Sequence, residues 1–146
     1  MSVKFEQKSD RDRENETLSI FFKDKDFSYI QGGEFDKEDA KIINDNLLVV
    51  GLCEVKTMFK DVEDADFVRI GLRKIHSSQE KSVYKNLPFL LLWRFNNAIG
   101  SLWLQDLAGS VKWGGRKVPR EGSTWDRELM IYIDKSKLKL IEATKL

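Results

Sequence analysis

Cysteine, histidine and proline are scarce in this 146-residue chain: it has one, one and two of them. A single cysteine, Cys53, excludes an intramolecular disulfide. Set inside the apolar run LLVVGLCEV, it reads as a buried thiol of a reducing compartment. Nucleophilic chemistry there needs a thiolate-stabilising neighbour, and His76, the one histidine, lies far along the chain. A lone histidine with no cysteine in range cannot found a zinc site, so no metal centre is expected.

Long apolar runs are also missing. The stretch LPFLLLW, residues 87–93, falls well short of the roughly 20 residues that span a bilayer. The opening segment MSVKFEQKSDRDRENE carries no apolar core of a secretory signal. The reading therefore expects no membrane association and a cytoplasmic location, or the host cytoplasm if the protein is viral. Nucleotide signatures are absent too. GGRKVPREGST, residues 114–124, lacks the four-residue spacer and the Gly-Lys-Ser/Thr ending of a phosphate-binding loop, and no dinucleotide fingerprint occurs. No cofactor is expected.

What is abundant is charge, at 34% of residues against 41% apolar, a globular composition with a heavily charged surface. The net charge of +1 hides a split. Residues 1–68 hold 10 basic and 17 acidic side chains, net −7, and residues 69–146 hold 15 and 7, net +8. Such asymmetry marks either a polyanion-binding face or two faces that attract each other, within one fold or between copies.

Along the chain, residues 1–16 are polar, dense in alternating charge and without periodicity, and read as a flexible N-terminal head before a single domain over 17–146. TLSIFF and FSYIQ read as two β runs about the polar turn KDKD. In FDKEDAKIINDN the spacing of Phe35, Ala40, Ile43 and Leu47, with Asp36 as a cap, predicts a helix over about 36–46. LLVVGLCEVKTMF reads as a buried strand, and DFVRIGLRKI as a half-buried one whose solvent face carries Arg69 and Arg73. LPFLLLWRF and SLWLQDL, joined through NNAIG, predict a hairpin, and RELMIYI with LKLIEA a final one. The sum is an α+β domain, mainly antiparallel: a curled β-sheet or partly open barrel of six to eight strands with one helix near 36–46.

The residues with most to offer a ligand lie in KWGGRKVPREGSTWDR, 112–127. Lys112, Arg116, Lys117, Arg120 and Arg127 oppose only Glu121 and Asp126, and Gly114, Gly115 and Gly122 let backbone approach a ligand closely. Single-stranded nucleic acid is held by such parts: cations along the sugar-phosphate chain and flat rings, here Trp113 and Trp125, on which bases stack. Arg69, Arg73 and Lys74 extend the patch if their strand lies alongside. The leading expectation is thus a non-catalytic β module for single-stranded DNA or RNA.

Two alternatives come from other classes. The acidic first half and basic second half suit a protein-binding or self-assembling adaptor, such as a viral or phage accessory factor forming homo-oligomers. CEVK, residues 53–56, sets Glu54 two residues before Lys56 on one strand face, the core pattern of magnesium-dependent nucleases. Its second carboxylate would have to be Asp36 or Asp45, and the bland reading is a cross-strand ion pair. DVEDAD, residues 61–66, lacks the turn glycine and distal glutamate of a calcium loop and reads as a solvated acidic turn.

Overall fold

A computed structural model describes residues 2–32, 39–73, 86–107, 109–115 and 127–143. Over these the chain forms helix α1 (Ser2–Phe22) and nine strands: β1 (Ser28–Gln31), β2 (Ala40–Ile43), β3 (Val49–Thr57), β4 (Phe67–Gly71), β5 (Phe89–Arg94), β6 (Ala98–Trp103), β7 (Ser110–Gly115), β8 (Arg127–Asp134) and β9 (Lys139–Glu142). This is an α+β fold built mostly of antiparallel pairs. The strands make two open sheets, β1-β2-β3-β5-β6-β9 and β4-β8-β7, and neither closes into a barrel. One pair, β3 with β5, is parallel, because the chain leaves the first sheet after β3 to lay β4 in the second.

The central strand β5 shows why the layers stack. Every side chain from Phe89 to Arg94 is buried, so the strand has no solvent face. Phe89, Leu91 and Trp93 pack with Val68, Ile70, Ile131 and Ile133 of the second sheet. The alternate residues Leu90 and Leu92 face the other way, against Leu18, Phe21 and Phe22 of α1. The result is three layers, helix on sheet on sheet, with two cores sharing one strand.

Helix α1 occupies the segment read from sequence as a flexible head, and it continues through the TLSIFF run read as β. Its last turns explain this. Thr17, Leu18, Phe21 and Phe22 are buried while Ser19 is exposed, a spacing of three and four residues that is helical. Burial of such side chains stabilises by roughly 1.5–3 kcal/mol each. Further along, Gln31 donates through Nε2 to the Arg11 carbonyl at 2.9 Å, and the Tyr29 hydroxyl donates to Asn15 Oδ1 at 2.9 Å. Both bonds tie the polar half of the helix to β1.

The helix expected over 36–46 is replaced by strand β2, and residues 36–38 of that range lie outside the described ones. The neighbouring Ile42 and Ile43 are both buried, so this short strand carries apolar side chains on both faces; its register with β3 shifts between them, passing over Val50. Leu47, counted as a helical position, is 76% exposed and sits at φ 63° in the turn that joins β2 to β3. There Asn44 accepts through Oδ1 from the amides of Asn46 and Leu48.

Pairing of β5 with β6 bears out the predicted hairpin. The turn is tighter than NNAIG suggests, since Phe95 N donates to the Ala98 carbonyl at 2.8 Å and Ala98 already belongs to β6. The final hairpin is not formed. β8 lies in the second sheet and β9 in the first, where it pairs with β6. A short 3₁₀ turn at Lys135–Lys137, capped by Asp134 through the Ser136 amide, carries the chain between them.

Candidate functional site

The second sheet has a free outer face, and the strand order β4-β8-β7 decides what stands on it. Arg69 of β4 pairs with Tyr132 of β8, and Tyr132 pairs in turn with Ser110 of β7. Two residues from Arg69 on the same face is Phe67; two from Ser110 is Lys112. The basic strand and the start of the glycine-rich stretch are thereby brought to either side of one tyrosine.

The contacts follow the register. Arg69 Nη1 donates to the Tyr132 hydroxyl at 3.3 Å, and its guanidinium carbon lies 6.0 Å from the ring centroid. Lys112 Nζ is 5.7 Å from the same centroid. The Phe67 ring stands 5.3 Å from that of Tyr132 at an interplanar angle of 59°, and Phe67 is 50% exposed. From below, Trp93 Nε1 donates to the Arg69 carbonyl at 3.2 Å, which couples β4 to the buried core. Two cations at this range from one ring face it within cation–π distance, and the pair of rings offers a partly open aromatic surface.

Beside this platform runs a cleft of about 460 Å³, whose charged lining is Lys56, Lys60, Arg69, Asp64 and Asp66. Arg69 belongs to both platform and cleft. Lys56 therefore faces the cleft, but its sequence neighbour Glu54 is 4% exposed, in the middle of β3 opposite Leu91 of β5. Asp45 lies in the exposed turn after β2, and Asp36 lies outside the described residues. The carboxylate placed next to β3 is Asp39, whose Oδ2 accepts from the Val55 amide at 2.7 Å. Among the described residues, no three His, Cys, Asp or Glu side chains group as metal ligands.

Two other sequence features take structural parts. Glu63 of the acidic turn accepts from Asn97 Nδ2 at 3.0 Å, and Asn97 Oδ1 accepts from the Val62 amide at 3.0 Å. The turn is a clamp on the β5–β6 connection. Cys53 is fully buried, and burial, followed by the nearby Asp39, Glu54 and Glu14 carboxylates, pushes its thiol up. His76 lies outside the described residues.

Of the ten residues singled out from sequence, Arg69 and Lys112 meet at Tyr132, and Arg73 is exposed just past β4. Trp113 pairs with Leu129 and Arg127 with Gly115, both described through their backbone alone. Lys74, Arg116, Lys117, Arg120 and Trp125 lie outside the described residues. The first residues of the stretch, Lys112 to Gly115, are strand rather than loop. Tyr132 and Phe67 were missed. Both were readable: Tyr132 alternates with Ile131 and Ile133, and Phe67 shares the parity of Arg69 rather than that of Val68 and Ile70.

No helix among the described residues is long and apolar enough to cross a membrane. No protein-family model matches the chain, and searches of curated proteins and of solved structures return no match.

Proposed function

We propose that this protein binds single-stranded nucleic acid, without catalysis, on the outer face of the β4-β8-β7 sheet. One observation carries the reading: the Tyr132 ring lies between Arg69 and Lys112, with the exposed ring of Phe67 beside it. Bases stack on such rings at roughly 1–3 kcal/mol each, without regard to base identity, while cations beside the rings hold the phosphates. The cleft that Arg69 shares brings Lys56 and Lys60 alongside, with Asp64 and Asp66 also in its wall. In the other direction, Tyr132 and Arg127 are separated by five steps along β8, about 17 Å at roughly 3.4 Å per residue. The segment 116–126, with Arg116, Lys117, Arg120 and Trp125, connects β7 to β8 in sequence and lies outside the described residues.

The test is fluorescence anisotropy of a labelled single-stranded 12-mer at two salt concentrations. Saturable binding is expected at low salt, weakening as salt rises. Arg69→Gln and Lys112→Gln are each expected to flatten the log–log salt slope by about 0.7, one phosphate contact on a single strand. Absence of binding by micromolar protein at low salt sinks the reading.

A further inference from the structure

On the opposite side of the molecule, where the end of α1 meets the six-stranded sheet, lies a cavity of about 450 Å³. That volume is within the roughly 300–1,000 Å³ usual for small-molecule sites. Its wall is apolar: Phe22, Leu90 and Ile141 at depth, Phe27 and Trp103 nearer the opening. Ser101 adds little polarity, since its hydroxyl is turned to the Lys139 carbonyl at 3.4 Å. Phe27 is 48% exposed and Trp103 37%, so large apolar side chains border the concavity.

The two charged side chains in the cavity lining are both cations. Lys25 and Lys139 line the cavity, both are exposed, and no carboxylate lines it among the described residues. Lys25 Nζ lies 4.2 Å from the Phe21 ring centroid, which holds its charge beside the aromatic wall. An apolar interior with cations only at the entrance selects against neutral and cationic ligands alike. The former forgo the electrostatic attraction and the latter meet repulsion.

We infer that this cavity takes a free, single-chain amphiphile with an anionic head, of the long-chain carboxylate class. The alkyl chain lies against Leu90 and Ile141, and the carboxylate stays at the mouth with Lys25 and Lys139. Binding removes Phe27 and Trp103 from water. The site is separate from the β4-β8-β7 face, so it stands whether or not that face binds nucleic acid.

Isothermal titration calorimetry with decanoate below its critical micelle concentration tests this on the whole chain, with decyltrimethylammonium as the probe of equal chain length and opposite charge. Decanoate is expected to saturate at one per chain, and the cationic probe to bind at least tenfold more weakly. Lys25→Glu with Lys139→Glu, both at exposed positions, is expected to reverse that preference while the thermal transition and oligonucleotide binding stay unchanged. The inference is overturned if decanoate does not saturate, if both probes bind equally, or if the double variant keeps the wild-type preference. Association with phosphatidylglycerol vesicles in the absence of decanoate binding overturns it equally, since it replaces a cavity ligand by a membrane surface.

Discussion

The guanidinium of Arg69 and the hydroxyl of Tyr132 meet at 3.3 Å across the β4–β8 pair, with Lys112 on the far side of the same ring. The bond fixes where the ring sits, and the ring stands between the two cations.

Separating ring from hydroxyl tests that account. Tyr132→Phe keeps the stacking surface and frees Arg69, so oligonucleotide affinity is expected to change by less than about threefold, as befits the loss of one hydrogen bond of roughly 0.5 kcal/mol at a half-exposed site. Tyr132→Ala removes the ring, and the loss is expected at roughly 1–3 kcal/mol, about fivefold to a hundredfold in Kd. Anisotropy titrations of both, with thermal melts as controls, distinguish stacking from simple charge attraction. Equal affinities for wild type and Tyr132→Ala would leave the ring no part in binding.

The hairpin carrying Lys112 depends on a close approach. A side-chain carbon added at Gly109 would run into the carbonyl oxygen of Tyr132, with Ile131 Cγ2 at 3.1 Å behind it. Backbone cannot step aside as a side chain can. Gly109→Ala is expected to destabilise by about 1–3 kcal/mol and to lower oligonucleotide affinity by shifting β7 against β8. Gly100→Ala is the contrast: its nearest neighbour, Leu138 Cδ1 at 2.8 Å, is the end of a side chain that can change rotamer. Denaturant melts of the two are expected to rank Gly109→Ala as the less stable.

How far these positions were legible depends on whether the deciding contact is local. The alternation in DFVRIG and RELMIYI showed two half-buried strands because a period of two needs no partner to be seen. Which strands become neighbours is not local. β8 and β9 look like a hairpin in sequence, yet the buried row Ile131 and Ile133 fits the core with Val68 and Ile70, and β9 goes to β6 instead. Burial on both faces of β2, at Ala40 and at Ile43, gave the segment a false helical spacing. Leu18, Phe21 and Phe22 were visible as apolar residues, but six letters do not separate a helix end from a strand, and the charged turns before them gave no second apolar stripe. Phe67 and Tyr132 escaped notice for another reason: an aromatic in a strand is expected to be core, and only parity against Arg69 shows otherwise.

Burial of Cys53 has a consequence at alkaline pH. Its folded pKa is raised, chiefly by burial, so the native state keeps its proton where the unfolded chain loses it. The contribution to stability is fully present below the ordinary thiol value of about 8.5 and is lost as pH rises from there toward the folded value. Cys53→Ala is expected to be less stable than wild type at pH 7, from the lost packing, but to fall less between pH 8 and pH 10. Denaturant midpoints at the two pH values check it, and parallel curves for both proteins would refute the assignment.

Arg94 presents the reverse problem, a cation wholly buried on the α1 side of β5. Burial pulls its guanidinium down, and the Glu16 carboxylate, 3.4 Å from Nη2, pushes it back up. Glu16 is itself about half exposed, so water screens the pair and its contribution is nearer that of a surface bridge than a dry one. Glu16→Gln is therefore expected to cost only about 1 kcal/mol. Replacing the buried partner is different. Arg94→Met removes the desolvation of a charge and leaves an apolar side chain of similar length beside Leu92, and such exchanges are often neutral or stabilising by about 1–4 kcal/mol. The double variant Glu16→Gln with Arg94→Met is expected to be as stable as Arg94→Met alone, because among the described residues the carboxylate reaches the buried layer at that cation. Urea denaturation of the three variants decides it. A double variant markedly less stable than Arg94→Met would mean that Glu16 holds α1 to the sheet by some other contact.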